Sequence, residues 1–143
     1  MIMKKHDFAV GVNAFVVKDG KLLLGKRKNT YGAECWGLPG GHLEFGEAML
    51  DAVARELFEE TGLEAESFTF LNLVNTPRAE EHYIQLGFIA NNVTGEPELK
   101  EPEKCYGWEY FELTNLPQEL FKSHKNLIKT FVEKTSNFVD SEN

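Results

Sequence analysis

The sequence predicts an α/β or α+β domain, with helices packed on a mostly mixed sheet. Three observations carry this. An apolar opening run rich in branched residues is followed by a tight-turn dipeptide. A helical period between Glu47 and Thr61 interrupts the strand-like runs, and further strands lead into a closing amphipathic segment. Strands, helix, strands, helix is an order that buries a sheet against helices.

FAVGVNAFVV, Phe8 to Val17, reads as a buried strand. Asp19-Gly20 is a two-residue hairpin signal, and KLLLGKR, Lys21 to Arg27, is the returning strand. The glycine-rich stretch KNTYGAECWGLPGGHLEFG has no period, and long loops of this kind are often functional. From Glu47 to Thr61 the residues Met49, Val53 and Leu57 recur every four, with Leu50 and Phe58 beside them. Gly46 is the expected N-cap and Gly62 the residue just past the end. SFTFLNLVNT and HYIQLGFIANN follow as strands, joined by the charged link PRAEE. EPELKEPEKCYG is irregular and acidic, and WEYFEL resumes a strand. LPQELFKSHKNLIKTFVEK closes as an amphipathic helix, with Leu120, Leu127 and Phe131 facing inward.

The 143 residues suit one domain spanning 1–143, and the tail from about 136 is expected to fray for want of apolar residues. A hydrophobic content of 42% with 27% charged residues is ordinary for a soluble globular protein. No apolar run approaches the roughly 20 residues that span a bilayer, so no membrane partner is expected. MIMKKHDF lacks the apolar core of a signal peptide, which makes the cytoplasm the expected location. Cys35 and Cys105 are far apart and read as packing residues, and His6, His42, His82 and His124 show no zinc spacing. A net charge of -8 argues against a nucleic-acid polymer as partner. It leaves room for a small anionic ligand where a bound metal reverses the local field.

One stretch runs against its own electrostatics. RELFEETG places Glu56, Glu59 and Glu60 on one face of the helix, at the end that carries the negative half of the dipole. Like charges at these spacings cost about 0.2–0.5 kcal/mol each on an isolated helix. Ala48 and Ala52 share that row, and their small size lets a loop approach. One reading is a solvated acidic face. The other is a hard-cation site, since Mg²⁺ and Mn²⁺ prefer carboxylate oxygens and would reverse the repulsion.

Upstream context favours the cation. Gly41, Glu47 and the run from Arg55 to Leu63 stand in the spacing G-x5-E-x7-R-E-L-F-E-E-T-G-L. This pattern resembles the signature of the Nudix hydrolases, and Trp36-Gly37-Leu38-Pro39-Gly40-Gly41 ahead of it is similar to that family too. The resemblance implies an α/β/α sandwich around a mixed sheet, with the signature as a loop–helix–loop. It implies Mg²⁺- or Mn²⁺-assisted hydrolysis of a diphosphate joined to another group. Position by position, Glu56, Glu59, Glu60 and the carbonyl of Gly40 would hold metal, and Glu47 and Arg55 would form an ion pair fixing loop to helix.

General-base candidates are Glu59, Glu60 and a glutamate from a distal loop. By resemblance to the MutT-like branch that glutamate is Glu103, ahead of Trp108, and it would also hold metal; Glu101 is its competitor. Arg27, in Gly25-Lys26-Arg27-Lys28, would reach the substrate's phosphates, and Gly41 lets backbone approach them. Tyr31 stands where a base-stacking aromatic occurs, His42 would line the pocket and Phe121 would close it. The relatives carry tryptophan after that phenylalanine, whereas this chain has Lys122.

Together these features look like the small MutT-like diphosphatases that turn nucleoside triphosphates, oxidised or modified ones included, into monophosphate and pyrophosphate. Several members are homodimers, so a homodimer is among the expectations. The alternatives are a hydrolase of ADP-ribose, nucleotide sugars, dinucleoside polyphosphates or prenyl diphosphates, and a non-catalytic nucleotide-binding module. Pro77 stands where ADP-ribose types carry a proline after the signature, which keeps that alternative open.

Overall fold

The computed structural model describes residues 7–78 and 81–140. The opening residues 1–6 and the last three lie outside the described residues. The expected first strand divides at Val16. Phe8–Phe15 forms β1 and Val17–Lys18 forms β2, because the two halves join different sheets. Asp19 and Gly20 turn with φ of 53° and 74°, the pair of left-handed residues that such hairpins need. Lys21–Arg27 returns as β3, followed by the short strands β4 (Trp36–Gly37) and β5 (Gly40–His42).

Met49–Thr61 forms α1. Its start lies later than the expected Glu47, and Ala48 rather than Gly46 is the N-cap, with no side-chain cap bond. Glu47 stays in the preceding turn because its carboxylate is taken by Arg55 and by the Glu44 N–H. Gly62 ends the helix with φ of 75°, and its N–H donates to the Phe58 carbonyl. The buried face is Ala52, Val53, Leu57 and Thr61, whereas Met49, Leu50 and Phe58 of the expected stripe are exposed. The helix packs this face against β5 and β1.

Ser67–Pro77 and His82–Asn91 form the antiparallel pair β6 and β7, and Cys105–Glu112 forms β8, which starts earlier than expected. The closing helix α2, Lys122–Glu133, is shorter than its pattern suggests. Leu120 lies ahead of it in a bridge to Trp36, and Leu127 is fully buried. Phe138–Val139 adds a short strand, β9, parallel to Leu73 and Val74. Backbone pairing with β6 therefore holds residues 137–139 of the stretch expected to fray.

The strands make two sheets. A mixed sheet runs β5-β1-β7-β6-β9, with β1 and β7 parallel; an antiparallel sheet joins β2, β3 and β4, with β8 paired to β3. One cluster beneath α1 contains Val12, Ala14, Val53, Leu57, Leu86 and Phe88. A second beneath α2 contains Phe15, Leu22, Leu24, Val74, Leu127 and Ile128. Successive residues of β1 and β3 feed the two clusters alternately, as the strand period requires. The functional cavity opens where β5, the end of α1 and the start of α2 meet.

Candidate active site

The two glycines of β5 explain how the carboxylates reach the sheet. A Cβ at Gly41 would lie 2.4 Å from the Glu56 carboxyl carbon, and one at Gly40 would lie 2.3 Å from the Val12 carbonyl oxygen. Side chains at either place would expel the helix or the neighbouring strand. With none, Glu60 Oε1 accepts from the Gly40 N–H at 2.8 Å. Burial, together with the charges of Glu56 and Glu101, pushes the Glu60 carboxyl up to about 8 against the pull of that bond. Burial also raises Glu56, although Arg55 opposes the shift.

Arg55 organises the cluster. Its Nε and Nη2 donate to the two oxygens of Glu47 at 2.8 and 3.0 Å. Nη1 donates to Glu56 at 2.8 Å and to Glu59 at 3.3 Å, and Nη2 also reaches the His42 carbonyl at 3.2 Å. Glu47 is held below the usual carboxylate range, first by the Arg55 bond. One guanidinium thus joins the loop, β5 and the helix, a task for a planar fork rather than a point charge. Arg55→Lys is expected to lower turnover by about 10–100-fold, the usual penalty when a ligand's supporting partner is lost. Steady-state kinetics with a thermal melt checks this.

A cavity of about 690 Å³ continues from the carboxylates. Along its wall Arg27 lies 3.9 Å above the Phe121 ring and donates through Nε to the Tyr31 carbonyl at 3.0 Å, its charge still felt by Glu60. Tyr31 is exposed and meets Phe121 edge-on at 5.8 Å. Arg78, in the link read only as charged, donates to the Tyr31 hydroxyl at 2.7 Å and to Ser123 Oγ at 3.1 Å. His42 lines the wall, its Nε2 3.1 Å from the Tyr83 hydroxyl. Lys122 is exposed and does not line the cavity.

The distal glutamate is where the structure departs from the expectation. Glu103 is exposed and off the cavity, and its carbonyl accepts from Asn29. Glu101 lines the cavity instead, and its charge bears on Glu56 and Glu60. A tight turn sets this, because the N–H groups of Lys104 and Cys105 both donate to the Glu101 carbonyl. Residue 101 is left facing inward and residue 103 outward.

Asn13, Gln85, Arg78, Ser123 and His124 are cavity residues that sequence reading missed. Asn13 and Gln85 had a signal, being amides within otherwise apolar runs. Among the described residues no three His, Cys, Asp or Glu side chains are already gathered around one point suited to an ion. The donor set nevertheless fits a hard divalent cation. Glu56, Glu59, Glu60 and Glu101 offer only oxygens, and two of these carboxyls are pushed up by burial, a cost that a cation would offset.

Residues 7–131 match the NUDIX domain. The chain belongs to the Nudix hydrolase family. This Nudix chain is 37% identical over 142 aligned residues to an ADP-ribose pyrophosphatase of Methanocaldococcus jannaschii, covering 92% of the chain and 82% of that protein. It is 31% identical to an oxidized purine nucleoside triphosphate hydrolase of Danio rerio over 71% of the chain, and spans only 65% of that relative's length. The crystal structure of a MutT NUDIX hydrolase from Burkholderia pseudomallei superposes with a TM-score of 0.82 at 36% identity, covering 87% of the chain and 98% of that structure. The protein is therefore a Nudix pyrophosphohydrolase with the mixed α/β fold of its neighbours. Nudix hydrolases generally use divalent metal ions and act on small nucleotide-type substrates.

Proposed function

We propose that this protein is a Mg²⁺- or Mn²⁺-dependent hydrolase of a nucleoside diphosphate derivative, with ADP-ribose as the first substrate and nucleoside triphosphates as the second. One observation carries the reading: a single cavity is lined by both a carboxylate cluster and a guanidinium–aromatic bracket. A cavity so lined suits a phosphate chain, neutralised by cations, that is joined to a flat base. The relative aligned over 92% of the chain moves ADP-ribose ahead of the triphosphates favoured from sequence. Pro77, which ends β6, agrees with it. The Danio rerio relative keeps triphosphates as the second reading.

Glu56, Glu59 and Glu60, with the Gly40 carbonyl and Glu101, would hold the cation, and Arg55 would keep them in place. A divalent ion there supplies charge neutralisation of the phosphate chain and a more acidic water. Arg27 faces the same cavity and adds a fixed positive charge, while Tyr31 and Phe121 stack the base. Glu59 and Glu60 are the candidates to accept a proton from water once the cation is held. The chain acts as one catalytic domain in the cytoplasm. Its state, monomer or homodimer, is read by sedimentation.

The test is a Mg²⁺-dependent product assay on ADP-ribose, dGTP, 8-oxo-dGTP, GDP-mannose and geranyl diphosphate. AMP with ribose 5-phosphate supports the first reading, and a monophosphate with pyrophosphate the second. Hydrolysis confined to the sugar or prenyl compounds overturns both.

A further inference from the structure

Beneath the cavity lies a polar pair that metal and phosphate chemistry leaves unused. Asn13 and Gln85 are 2% and 5% exposed, yet both line the cavity. Asn13 Nδ2 donates to Gln85 Oε1 at 2.9 Å and to the Leu86 carbonyl at 3.1 Å. Because that nitrogen serves two acceptors, neither amide can flip without losing a bond. Asn13 Oδ1 and Gln85 Nε2 are left without a partner among the described residues. They are not sealed in, since Asn72 Oδ1 is the one fully occluded unpartnered side-chain atom found among those residues. Room for the pair is built in. A Cβ at Gly11 would stand 2.1 Å from Gln85 Oε1, so only glycine there admits the carboxamide.

Position along the sheet tells what the pair would meet. Gly40, whose N–H holds Glu60, pairs with Asn13 on the next strand, and Gln85 pairs with Gly11 one strand further. Neighbouring strands lie about 4.8 Å apart. The amides thus sit one to two strand widths from the carboxylates. Arg78, which grips Tyr31, follows the end of β6, the strand beyond. A nucleotide laid from the carboxylates to the aromatic bracket places its sugar over the amides. A hydroxyl both donates and accepts, which matches an acceptor oxygen beside a donor nitrogen.

We infer that Asn13 and Gln85 form a sugar-hydroxyl subsite that selects ribonucleotides over 2′-deoxyribonucleotides. The inference rests on the nucleotide pyrophosphohydrolase reading above and adds the part of the substrate that is read. A buried polar pair built for a hydroxyl rejects the analogue without it, since the pair is then desolvated and unmatched. The expected preference is about tenfold or more in kcat/KM.

The experiment compares kcat/KM on ATP against dATP, and on ADP-ribose against its 2′-deoxyadenosine form, for the native chain, Gln85→Met and Gln85→Glu. Melting curves report folding of each variant. The native ratio should be about ten or more, and Gln85→Met should bring it close to one. A native ratio near one, or an unchanged ratio in both folded variants, overturns the subsite. Should neither variant fold, the native ratio decides alone. If the native chain hydrolyses neither pair, the ADP-ribose reading fails separately. Thermal-shift binding of AMP against dAMP then judges the amides: tighter AMP supports them, and equal binding refutes them.

Discussion

Glu60→Gln is expected to lower turnover by about two to four orders of magnitude while the protein still melts cooperatively near the native temperature. The glutamine keeps the shape and the oxygen that accepts from the Gly40 N–H, so the bond between helix and β5 survives. What disappears is the charge and the proton-accepting capacity of a carboxyl set deep beside Glu56 and facing Glu101. Loss of a group that moves a proton costs roughly 10²–10⁴ in rate, and a lost cation ligand adds to it. Burial and two neighbouring acids already penalise the charged form, so the neutral variant is expected to be no less stable than the native chain. Near-normal turnover with Mg²⁺ saturating would contradict the assignment of Glu60 to the reaction.

Acid should destabilise the fold through His124. The ring is 5% exposed, and its Nδ1 accepts from the Leu38 N–H at 3.0 Å, a bond that only the neutral tautomer can make. Burial, with a smaller contribution from the Arg27 charge, pushes the imidazole down to about 3, against an ordinary value near 6.5. Between those values the unfolded chain binds a proton that the native chain refuses. Stability is therefore complete above about pH 6.5 and falls as the pH drops toward 3, by roughly 1.4 kcal/mol per unit at most. Urea unfolding at pH 7, 6 and 5 measures the slope. His124→Gln, which retains an acceptor but does not titrate, should flatten it; an unchanged slope in that variant would remove His124 as the cause. The cavity should loosen before the fold gives way, because Leu38, Phe121 and His124 form one wall.

The parts of this molecule legible in its sequence are those fixed by local rules. Asp19-Gly20 specifies its hairpin by its own dihedral preferences, and Gly62 ends α1 because a left-handed residue must stand there. The glutamates of α1 were legible because their placement is unfavourable without a ligand. Harder to read was whatever depends on a partner distant in sequence. The apolar period of α1 holds at Val53 and Leu57, which are buried, but not at Met49 and Phe58, which fit the period and yet stay exposed while Ala52 and Thr61 turn inward. Glu101 and Glu103 cannot be told apart by spacing; two backbone bonds in one turn decide between them. Phe138 and Val139 look like a loose tail until Leu73 and Val74 offer an edge to pair with. Gly11 and Gln85, far apart in the chain, acquire meaning only once β1 and β7 lie side by side.

Arg55 carries a consequence for how the enzyme meets its metal. Its guanidinium already pairs with Glu56 and Glu59 from within, so a cation held at the proposed site would share these carboxylates with a tethered positive charge. Such sharing would favour modest affinity, and would let the concentration of free divalent cation in solution govern how much of the protein is ready to work.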